Sequence, residues 1–133
     1  MTEAGSGSPR TTRATRGTRV ALAVAVLVQL VVLYAPAGAG AAPFPHSDKA
    51  AHVLVFLVPV ALAVLVTGRP SLVAGAFLAH AGLSEVVQGT LLPLRSGDPF
   101  DAAADALGVA LGVLVATGIL RRSPPRSRYS TGP

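Results

Sequence analysis

The chain has no cysteine, which excludes a disulfide framework, a thiolate metal site and a cysteine nucleophile. It is also short of charge. Only 13% of its 133 residues are Asp, Glu, Lys or Arg, where a globular domain carries roughly 25%. That is too little to cover a water-soluble surface. What is abundant is apolar: 51% of residues, with a mean hydropathy of +0.59.

The formal net charge of +5 invites a nucleic-acid reading, and its distribution removes it. Residues 1–19 hold four Arg and one Glu, and residues 121–133 hold four Arg and no acid. Residues 20–120 hold three bases against five acids, so the body between the tails is net negative. No nucleic-acid fold motif or regular aromatic interleaving accompanies the basic tails. The composition is that of a membrane protein. Ten of the eleven bases are Arg, and Ala and Val are plentiful, a composition that points to a GC-rich bacterial source.

Crossing a bilayer core of about 30 Å takes roughly 20 mostly apolar residues per helix. Four stretches meet or approach this: Val20 to about Ala35, about Asp48 to Val66, Ser71 to about Leu92, and Pro99 to Leu120. Thr67-Gly68-Arg69-Pro70 makes a tight connection between the second and third. The expected fold is all-α, a polytopic bundle of four transmembrane helices, with no intervening segment long enough for another domain. The N-terminus also allows a signal-peptide reading, since Arg16 and Arg19 precede an apolar run and Ala37-Gly38-Ala39 resembles a cleavage site. Its apolar run is long for that role, which favours an uncleaved helix.

Positive residues favour the cytoplasmic side, so both Arg-bearing tails are expected inside, which requires an even number of crossings. Loops 36–47 and 93–98 then fall outside. Residues 1–19 and 121–133 read as disordered, Arg-rich cytoplasmic tails around a membrane domain at 20–120.

Ionisable residues inside membrane helices are costly and mark functional sites by default. With this topology Asp48, Lys49 and His52 lie at the outer end of the second helix, and Glu85 and Gln88 in the last two turns of the third. Asp101 and Asp105 lie in the first two turns of the fourth, with Arg95 and Ser96 in the loop before it. All nine positions converge on the outer leaflet as a polar pocket. The steps Asp48–His52 and Glu85–Gln88 are helical, and Asp101, Asp105, Gly108 and Gly112 draw one stripe. The lower half of that stripe, Gly108-xxx-Gly112, is a close-packing pattern for membrane helices.

Plainer roles compete. Asp98 before Pro99 reads as the cap of the fourth helix. Ser47 or Asp48 could cap the second, and Asp101 could complement the helix dipole. Lys49 and Arg95 could be interfacial anchors. His80 reads as a cross-helix hydrogen-bonding residue, His46 as a loop residue and Pro59 as a kink.

Asp48-Lys49-Ala-Ala-His52, then Ser84-Glu85-Val-Val-Gln88, then Arg95-Ser96-Gly97-Asp98-Pro-Phe-Asp101 running on through Asp105, Gly108 and Gly112, resembles the VanZ-like family over about residues 20–120. These are small membrane proteins whose founding member is associated with teicoplanin resistance. The resemblance implies a non-enzymatic factor of the bacterial cell membrane that alters susceptibility to cell-wall antibiotics. Asp105 departs from the pattern, where Asn is expected. A mixed-charge pocket could hold a lipid head group or a peptidoglycan precursor, Lys49 and Arg95 facing phosphate and the acids facing amines.

The alternative is an enzyme acting on a lipid-linked or phosphate-bearing envelope precursor. His52 with Asp48 resembles a base with its orienting carboxylate, and Glu85, Asp101 and Asp105 could ligate a divalent cation. No Ser-Gly-His or His-Glu-xx-His motif accompanies them. No cofactor is otherwise expected. A channel or transporter subunit is disfavoured because the inner half of each helix is apolar or Gly/Ala.

Overall fold

In a computed structural model of the chain, residues 15–35, 47–92 and 98–122 are described. They form four helices: α1 Arg16–Tyr34, α2 Ser47–Thr67, α3 Pro70–Leu91 and α4 Pro99–Arg122. Each is long and apolar enough to cross a membrane. The expected all-α architecture of four helices, each able to span a membrane, is therefore present.

Two helices extend into the stretches expected to be disordered tails. Helix α1 starts at Arg16, ahead of the expected Val20, because Thr15 caps it: its hydroxyl accepts from the Thr18 backbone N–H at 3.2 Å. Helix α4 runs on to Arg122 rather than Leu120, ending in Arg121 and Arg122, cations that complement the negative end of the helix dipole. Tail residues 1–14 and 123–133, the loop with His46 and Ala37-Gly38-Ala39, and residues 93–97 with Arg95 and Ser96 lie outside the described residues.

The turn between α2 and α3 is as tight as its sequence demands. Gly68 has φ +67 and donates its N–H to Val64 O at 2.8 Å, a left-handed cap that only glycine adopts freely. Pro70 then opens α3 at a position whose missing N–H costs nothing.

The core gathers around Phe56. Its ring meets Phe77 edge-on at 6.4 Å and His80 at 5.7 Å. Leu33, Val60, Val64, Val109 and Ala116 join it in the buried cluster. Most of the remaining large apolar side chains face outward, such as Leu27, Leu72 and Leu114. A helix bundle in lipid has this pattern, because hydrocarbon is as good a solvent for Leu as the bundle interior.

The most extensive packing is α2 against α4. The Gly108/Gly112 pair makes it possible. A Cβ on Gly108 would collide with Val53 O, and one on Gly112 would sit 2.7 Å from Leu57 O and 2.9 Å from Val60 Cβ. The close contact expected of that motif is made, and its partner is α2.

Candidate functional site

Antiparallel connectivity brings the start of α2, the end of α3 and the start of α4 to one end of the bundle. Two linked polar layers sit there. The outer one centres on Lys49, whose Nζ donates to Asp101 Oδ1 at 2.8 Å and to Asp98 Oδ2 at 3.0 Å. Asp48 is a weaker third partner at 3.5 Å. The Phe100 ring lies 6.0 Å from the ammonium.

Asp98 ties the layers together. Its Oδ1 accepts from the Phe100 N–H at 2.9 Å, the capping role expected before Pro99. Its other oxygen takes Lys49, and its backbone N–H donates to Glu85 Oε2 at 2.9 Å. The Phe100 N–H first, and then Lys49, hold its carboxyl below the usual carboxylate range.

One turn deeper is the inner layer. His52 Nδ1 and Asp105 Oδ1 are 2.8 Å apart, with His52 buried and Asp105 wholly so. One ligand-type atom from each of His52, Glu85 and Asp105 lies within 4.8 Å of the others. Glu85 Oε1 and Asp105 Oδ2 are buried and have no hydrogen-bond partner among the described residues. Such atoms are exceptional, since about nine in ten buried polar groups are satisfied.

The structure thus joins Lys49, His52, Glu85, Asp101 and Asp105, and adds Asp98. It parts from the sequence expectation at four residues. Asp48 does not orient His52: its side chain is 57% exposed and pairs with Lys49, while Asp105 supplies the carboxylate. The i, i+4 step placed Asp48 on the right helix face, but His52 turns inward to α4. Asp101, expected beside Glu85 and Asp105 as a cation ligand, is engaged by Lys49. Lys49, expected to face phosphate, is held by carboxylates. Gln88 is buried but donates to Leu33 O on α1 at 2.9 Å rather than to an acid. Three residues beyond Glu85 is about 60° around the helix, enough to address a different neighbour.

His80 makes the cross-helix bond expected of it, to the Tyr34 hydroxyl at 3.2 Å. Gln29, to which the sequence attached no role, is buried, with its Nε2 unpartnered among the described residues. Asp98 was legible only as a cap; its Asp-Pro context gave no sign of Lys49, 49 positions away.

No family model, curated protein or solved structure matches the chain.

Proposed function

We propose that this chain is a VanZ-like, multi-pass protein of the bacterial cell membrane that acts without catalysis on envelope properties, its polar end facing outward. The observation that carries the reading is the meeting, at one end of an apolar bundle, of residues from all three VanZ-like sequence motifs: Lys49 and His52, Glu85, and Asp98, Asp101 and Asp105. Orientation rests on the Arg residues: Arg16, Arg19, Arg69, Arg121 and Arg122 all belong to the opposite end.

The cluster brings five carboxylates, with Asp48 at its rim, against one ammonium, and that ammonium is already paired. Its chemistry suits a cationic group, such as the amine of a lipid head group or of a peptidoglycan precursor. Deleting the gene is expected to change glycopeptide and lipoglycopeptide susceptibility, with restoration by the wild-type chain and not by Glu85→Gln. Unchanged susceptibility to both classes would overturn the reading.

A second reading has its own observation. His52 and Asp105 have the form of a general base with an orienting carboxylate, which fits an enzyme acting on a lipid-linked phosphate. Absence of turnover of lipid phosphates by purified protein supplied with divalent metal, equal in wild type and Glu85→Ala, eliminates it.

A further inference from the structure

We propose that His52, Glu85 and Asp105 bind one divalent first-row cation, Zn2+ or Mn2+, in the inner polar layer. This is independent of the envelope role.

The donor set is one imidazole and two carboxylates, from three different helices. Mixed nitrogen and oxygen ligation suits these ions better than Mg2+ or Ca2+, which prefer all-oxygen sites. Two carboxylates also match the charge of a divalent ion, with His52 neutral.

The distances fit. Ligands about 2.1 Å from a metal stand ~3.0 to 3.4 Å apart at octahedral or tetrahedral angles. The 2.8 Å between His52 Nδ1 and Asp105 Oδ1 is close to that edge, and the whole set lies within 4.8 Å.

The unpartnered oxygens make the case independent of mere proximity. Among the described residues only three buried side-chain polar atoms lack a partner, and two are Glu85 Oε1 and Asp105 Oδ2. Each of these carboxylates has one buried oxygen that has lost its hydration without gaining a donor. Lys49 does not relieve them, being taken by Asp98 and Asp101. A cation supplies both missing contacts. Three protein ligands leave a coordination position for water or an outside group, as in metal sites that exchange ligands.

Full-length protein purified in detergent, stripped with chelator, and dialysed against ZnCl2 or MnCl2 is assayed for bound metal by elemental analysis. Wild type is expected to retain about one ion per chain. Glu85→Gln and Asp105→Asn, which preserve side-chain shape, are expected to weaken binding at least tenfold, while Asp48→Asn retains it. Substituting Co2+ is expected to give visible absorption bands in wild type that His52→Ala loses. Wild type holding less than a tenth of an equivalent of either metal overturns the proposal. So does equal retention by wild type, Glu85→Gln and Asp105→Asn, which places the metal elsewhere. Metal binding is read on purified protein and the envelope role in cells, so each can fail without the other.

Discussion

His52 and Asp105 lie 53 positions apart and meet through a 2.8 Å contact that joins α2 to α4 inside the bundle. Asp105 is completely buried there. Removing one member strands the other, and an unpaired buried polar group costs about 1–3 kcal/mol. Asp105→Ala is expected to lose stability in that range by thermal unfolding in detergent. Asp105→Asn keeps an acceptor for the imidazole and is expected to lose less than half as much. Equal losses would mean that the contact contributes volume rather than a hydrogen bond.

The glycine seam predicts a positional contrast. Gly108→Ala and Gly112→Ala push a methyl into α2 backbone, and overpacking typically costs about 1–3 kcal/mol. Gly118 has nothing within 4 Å of an added Cβ, so Gly118→Ala is expected to be neutral or slightly stabilising. Unfolding midpoints of the three variants measure the difference.

Lys49 separates strong from weak partners. Coupling between Lys49→Met and Asp101→Asn in a double-mutant cycle is expected to be favourable and measurable. Asp48, more exposed and at 3.5 Å, is expected to couple near zero. High salt should shrink the first value.

Acid should loosen the polar end through Asp98. Its carboxyl titrates lower in the folded protein than when unfolded, because the Phe100 N–H and Lys49 favour its charged form. A depressed value contributes stability above the unfolded pKa, about 3.9, which disappears as pH falls through the folded one. Unfolding midpoints are therefore expected to drop below about pH 4, and Asp98→Asn to show a shallower drop. An identical acid profile in both proteins would assign the effect to other carboxylates.

The missing cysteines make orientation directly measurable. Single Thr15→Cys and Ser47→Cys chains in intact cells are expected to react oppositely with a membrane-impermeant maleimide, Ser47→Cys labelled and Thr15→Cys protected. The reverse result inverts the proposed topology.

The parts legible in the sequence were those set by local pattern. Apolar run lengths gave the four spans, Thr67-Gly68-Arg69-Pro70 gave the turn, and Gly108-xxx-Gly112 gave the close approach. The polar residues were legible as one end of the bundle and not as pairs. His52 has Asp48 one turn away and Asp105 on another helix, and only helix rotation decides between them. Rotation depends on how α2 and α4 dock, which no short window encodes. Gln88 shows the same limit, since its partner is the backbone oxygen of Leu33, and a carbonyl leaves no mark in a sequence. Helix ends erred by a few residues because a single Thr15 hydroxyl or a terminal Arg pair adds a turn beyond the apolar run.

The seam between α2 and α4 also restricts how the two helices can move. Displacing α4 along α2 by one turn, about 5.4 Å, would bring Ala104 or Ala116 to a place with room only for glycine. The same displacement would part Lys49 from Asp101 and His52 from Asp105. Piston motion of this pair is thereby blocked at both the apolar and the charged level. Any signal that crosses the bundle through α2 and α4 must travel as tilting or parting of the helices, not as sliding.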